Sequence, residues 1–222
     1  MGVKHFLHLW TRTGLRRVSG YRRCMRWELL FDDLESQLDQ EQRDEERALA
    51  IESERLRLGR LTLRDRITAM SRAGESGAAD VRLELHGGRV VQLLPLAFGR
   101  DWVSGEVRDA TAPGAQCILP LASVEAVMPG RSQLEASLDS PPESTTRLAE
   151  RIGLPFVLRD LCRRRSGVSV HTAVGSHHGT IDRVGRDHLD LAVHEPGAAR
   201  RQRDVRGYRI VPLERIVLLT FE

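Results

Sequence analysis

From Trp27 to Leu38 the apolar residues Trp27, Leu30, Phe31, Leu34 and Leu38 recur at the spacing of one face of a helix. The next nine residues, 39–47, carry no apolar side chain and consist of helix formers, and neither Gly nor Pro occurs between Leu38 and Gly59. The helix is therefore predicted to continue as a solvated arm, with Ala48, Leu49, Ile51, Leu56 and Leu58 restoring an apolar surface that is expected to dock on the first repeated unit of the chain. Beyond residue 60 the period changes. Two short helical patterns, Leu63–Ile67–Met70 and Val157–Leu158–Leu161, each lead through Gly or Ser into alternating strands. Thr62 with Asp65 forms a capping box for the first helix, and Pro155 suits the first turn of the second.

These two stretches are copies of one unit. Gly99-Arg100-Asp101-Trp102-Val103, followed by Ile118-Leu119-Pro120-Leu121 and Val124, returns as Gly185-Arg186-Asp187-His188-Leu189, followed by Ile210-Val211-Pro212-Leu213 and Ile216. A spaced pattern repeated in the same order marks one supersecondary unit used twice. Gly87-Gly88 and Gly99 read as tight turns between strands, and Asp101 and Asp187 as their caps. The predicted class is α+β, mainly β: an N-terminal helix followed by two tandem units, each a helix plus a small Sm-like or SH3-like β-barrel. The resulting boundaries are a basic extension over 1–24, the helical arm over 25–60, unit one over 61–128, a Pro/Ser-rich linker over 129–144 and unit two over 145–222.

Charge refines this layout. The pI of about 9.1 belongs mainly to residues 1–24, which hold Lys4, Arg12, Arg16, Arg17, Arg22 and Arg23 with no acid. That segment is too short and polar in its apolar part, Phe6–Trp10, for a secretory signal, so Met25 is expected to be the natural start and residues 1–24 a disordered extension. No apolar run reaches the roughly 18 residues that span a bilayer. Three widely separated cysteines, Cys24, Cys117 and Cys162, form no metal-type or redox-type pair, as in a reduced cytoplasmic protein.

The opening Met25-Arg26-Trp27, Leu30-Phe31, Asp33-Leu34-Glu35 and Gln37 resembles the start of an uncharacterised actinobacterial protein family, a resemblance that covers the chain from Met25 and implies a cytoplasmic bacterial protein without assigning an activity. In the second unit, His188-Leu189-Asp190-Leu191 and Val205-Arg206-Gly207-Tyr208-Arg209-Ile210 are similar to the two Sm motifs. In the Sm family an Asn and an Arg from these places line an RNA-base pocket. Here Asp190 stands for the Asn; it cannot donate, and it repels phosphate.

Candidate chemistry is sparse. His171, His177, His178, His188 and His194 crowd together, but adjacent His177 and His178 point apart on a strand, so neither metal nor other cofactor is predicted. Nucleophile motifs and a phosphate-binding glycine loop are missing, and no catalytic role is assigned. The binding candidates are of two kinds. Trp27, Leu30, Phe31 and Leu34 on the arm, and Trp102, which takes the place of His188 in the repeat, are expected first to pack within the chain; left uncovered, they would hold a partner protein or a second copy of the chain. RNA is the alternative, gripped by Arg200, Arg201, Arg203, Arg206 and Arg209 with Tyr208 as stacking surface.

Overall fold

A computed structural model describes residues 21–74, 79–108, 114–139, 151–197 and 200–221. The expected extension lies largely outside these residues. Helix α1 spans Tyr21–Arg60, so helix begins four residues before Met25. The chain divides into two units, one ending at Gly59 and one beginning at Arg60. Within α1 the middle is laced by close pairs: Arg43–Asp39 at 3.5 Å, Arg47–Asp44 at 2.9 Å and Arg57–Glu54 at 2.6 Å. Such i,i+3 and i,i+4 pairs stabilise a helix along its own surface. Trp27, Leu30, Phe31, Leu34 and Leu38 are exposed, as are Leu49, Ile51 and Leu56.

In the second unit, α2 (Leu63–Arg72) starts on Thr62, whose hydroxyl accepts from the Asp65 backbone while the Asp65 carboxylate accepts from the Thr62 N–H. Five strands follow: β1 (Val81–Leu85), β2 (Arg89–Phe98), β3 (Trp102–Val107), β4 (Gln116–Pro120) and β5 (Val124–Val127). Helix α3 (Arg131–Ala136) occupies the expected linker. It is held to the body by Gln133 Nε2 donating to Asp80 O and by the Arg66 guanidinium donating to Ser137 Oγ. Helix α4 (Leu154–Arg164) closes at Arg165 in the left-handed region, φ 56°, with Ser166 N–H reaching back to Leu161 O. The strands then repeat as β6 (Gly167–Thr172), β7 (Gly175–Val184), β8 (His188–Val193), β9 (Gly207–Pro212) and β10 (Leu218–Phe221).

All ten strands form one antiparallel sheet in the order β5-β1-β2-β3-β4-β10-β6-β7-β8-β9. Each half has the order last-first-second-third-fourth, and the halves join where β10 pairs with β4: Leu219 faces Ile118, Thr220 faces Cys117 and Phe221 faces Gln116. The sheet is not closed; its outer strands are β5 and β9. The two separate small barrels expected from the sequence are not confirmed: the halves share one open sheet. The physical reason is the shared strand: β10 belongs by sequence to the second half but completes hydrogen bonding for the first.

The cores are exchanged in the same way. The first gathers Ile67, Leu83, Leu85, Leu93, Val103 and Leu119, together with Val217 and Leu218 from the end of the chain. The second gathers Leu158, Val170, Ile181, Leu189 and Leu191, together with Trp102 and Ile118 from the first half. Ser123, buried, donates its hydroxyl across the junction to Val217 O at 2.8 Å.

Candidate functional site

The two halves repeat atom for atom around the Gly-Arg-Asp turn. Gly99 N–H bonds Trp102 O and Gly185 N–H bonds His188 O, both at 2.8 Å; Leu121 N–H bonds Asp101 O at 2.9 Å and Leu213 N–H bonds Asp187 O at 2.8 Å. A Cβ on Gly99 would lie 2.1 Å from Trp102 Nε1, and one on Gly185 2.6 Å from His188 Cε1, so each glycine is the bed of an aromatic ring. Ladder positions match as well, with Ser104 facing Ile118 and Asp190 facing Ile210.

What the halves do with this turn differs. In the first, Asp101 Oδ1 accepts the N–H of Leu154 at 2.8 Å and Trp102 Nε1 donates to Ile152 O at 3.0 Å, so the turn seats the start of α4. Asp101 thus caps a distant helix, not its own turn. Trp102 is 7% exposed inside the second core, where its surface is taken up by packing. In the second half Asp187 and His188 lie exposed and bond each other, Nδ1 to Oδ1 at 2.8 Å. That bond holds the Asp187 carboxyl below its usual range.

The same contrast marks the fourth strands. β4 is covered by β10, and Ile118 is 2% exposed; among the described residues β9 pairs with β8 alone, and Ile210 is 73% exposed. Tyr208, also on β9, is 57% exposed. Beside this edge lies a groove of about 650 Å³ lined by Val174, His177, Arg209, Ile210, Pro212 and Arg215. Val174, at the tip of the β6–β7 turn, is 98% exposed. A free strand edge carrying apolar side chains is a template for another chain.

The arginine cluster is largely spoken for. Arg200 grips Asp182 with two bonds, Nε–Oδ1 at 2.6 Å and Nη2–Oδ2 at 2.5 Å, and that charge-assisted bonding strengthens its hold on its proton. Arg203 lies 3.7 Å from Asp204, and Arg206 pairs with Glu195. Arg201 and Arg209 are exposed, and Tyr208 Oη accepts from Gln202. Of the two Sm-type positions, Asp190 faces Ile210 and lies 3.8 Å from Arg183, and Arg206 stands just before β9 with its backbone N–H on Val193 O.

His194, buried, uses Nδ1 against Glu195 O; because a carbonyl only accepts, that nitrogen carries the proton and Nε2 accepts from Thr180 Oγ1 at 2.9 Å. His171 Nδ1 receives Arg89 Nη1 at 3.0 Å and its Nε2–H points to Thr220 Oγ1 at 3.3 Å. Burial, and then the Arg89 charge, push the His171 imidazole down to about 4. Ser169 Oγ and His178 Nδ1 are 3.0 Å apart on the wall of a cavity of about 550 Å³ that Arg165 and Arg200 also line. Among the described residues, no three His, Cys, Asp or Glu converge as metal ligands do, and no helix is long and apolar enough to cross a membrane.

No family model matches the chain, and no curated protein or solved structure matches it either.

Proposed function

We propose that this is a non-catalytic interaction protein of the cytoplasm, built on two small barrels of Sm-like type fused through β4 and β10. Its working surface is the free edge of β9, where it holds a protein partner or a second copy of itself. The observation that carries this reading is the contrast between Ile118 and Ile210: equivalent in the repeat, one is covered by a neighbouring strand and the other lies bare. The exposed arm residues Trp27, Leu30, Phe31 and Leu34 offer a second, helical surface for the same purpose.

Affinity capture with the full chain tests it. Ile210→Asp places a charge on the edge without touching either core. Loss of the recovered partner or of self-association supports the reading. Unchanged recovery with both Ile210→Asp and Trp27→Ala/Phe31→Ala removes it.

RNA binding is the second reading, favoured by Tyr208 standing exposed beside Arg209 on β9, with Arg201 exposed nearby. Counterion release makes such binding fall steeply with salt, whereas apolar edge pairing does not. Salt-sensitive RNA retention that disappears with Arg201→Ala/Arg209→Ala would favour it over the first.

A further inference from the structure

The chain contains one worked example of how its fourth strand is covered, and it also carries, unused, the other half of a second such junction. From this we infer that the occupant of the β9 edge is the β5 edge of a second copy. The inference rests on the interaction reading above and names the partner.

Within the chain, β4 is covered by the last strand of the following half, β10. Among the described residues, its counterpart β9 and the last strand of the first half, β5, each pair on one side only. Donor and acceptor edges of the same kind of junction therefore remain at opposite ends of one sheet. On β5 the backbone is set for it. Met128 N–H is spent on Arg82 O, so the alternation of a strand turns the polar groups of Val127 to the free side.

Transferring the internal register to the pair of copies gives side-chain partners that fit. Ile118 against Leu219 becomes Ile210 against Val127 of the second copy, an apolar pair. Gln116 against Phe221 becomes Tyr208 against Pro129, an aromatic ring on a proline that ends the ladder. Ser123, which donates to the backbone carbonyl of Val217 inside the chain, becomes Arg215, a longer donor that would face the backbone carbonyl of Glu125. Both ends also carry a groove: about 650 Å³ beside β9, and about 340 Å³ beside β5, the latter lined by Leu63, Val127, Pro129 and Leu134. The exposed His188 turn would then stand to α2 of the next copy as the Trp102 turn stands to α4.

A junction that uses two different surfaces repeats head to tail until it closes. The contact is therefore directional, which a mixed cross-linking experiment detects. In a Cys24→Ser/Cys162→Ser background, one preparation carries Met128→Cys and another Arg209→Cys, positions whose internal counterparts Thr220 and Cys117 face each other. The expected result is an oligomer of discrete mass by light scattering, and a disulfide-linked pair only when the two preparations are mixed and oxidised. A monomer at every concentration overturns the inference, and so does a disulfide formed by Arg209→Cys alone, which would mean β9 against β9. A monomer that still captures a partner through Ile210 overturns self-pairing and leaves the interaction reading standing; a monomer whose captures ignore both Ile210→Asp and Trp27→Ala/Phe31→Ala overturns both.

Discussion

The indole N–H of Trp102 donates to the carbonyl of Ile152 at 3.0 Å, fastening a side chain of the first half to the segment that opens α4 in the second. The ring itself packs in the second core, against Gly99 on its other side. Trp102→Ala is therefore expected to cost about 3–5 kcal/mol through the cavity it leaves and the lost bond. Trp102→Phe should cost less, since it keeps most of the ring and drops the donor. Urea unfolding of the two variants checks the order.

Gly99→Ala attacks the same contact from the other side. An added methyl would sit 2.1 Å from Trp102 Nε1, and the ring cannot yield without leaving the core. A loss of about 2 kcal/mol or more is expected, the usual scale for forced repacking. Gly185→Ala, whose methyl meets the exposed His188 ring, should cost clearly less, because that ring can swing into solvent. The difference between the two melting temperatures measures how far the repeat has diverged in use.

Because β10 completes the first half's sheet and Trp102 the second half's core, the body from Arg60 onward should unfold as one cooperative unit. Leu83→Ala in the first core and Leu189→Ala in the second are expected to lower the same single transition. Two separable calorimetric transitions would show that the halves are independent.

His171 supplies a pH dependence with a definite sign. Its folded value of about 4 lies below the ordinary 6.5, so the unfolded chain binds the proton more tightly. This contribution is flat above about pH 6.5 and is lost as pH falls through the window toward 4. Solvent screening of the partly exposed ring limits it to the order of 1 kcal/mol. His171→Gln should flatten the stability profile between those values without changing it at neutral pH.

Much of this architecture was legible in the chain. The 3.6-residue stripe announced α1, the Thr62–Asp65 spacing announced the cap of α2, and the Gly-Arg-Asp and Pro-Leu echoes announced two halves with equivalent turns. These are local signals, set by residues close in sequence. The β4–β10 junction was not legible, because Ile118 and Leu219 are about a hundred residues apart and nothing in either strand specifies its outer neighbour. The site suffered from the same blindness. Ile210 read only as the echo of Ile118 in the repeat, and the lack of an outer neighbour among the described residues is what leaves it on the surface. Conversely, the arginine run read as free charge until Asp182 and Glu195, both outside it in sequence, were found beside Arg200 and Arg206.

The most direct measurement is amide hydrogen exchange along β9 as the protein is concentrated. If the β9 edge is the working surface, its amides facing away from β8 exchange freely in dilute wild-type protein and become protected in the associated form, while Ile210→Asp leaves them open at every concentration. Protection independent of concentration and unaffected by Ile210→Asp, or association that leaves β9 unprotected, would contradict it.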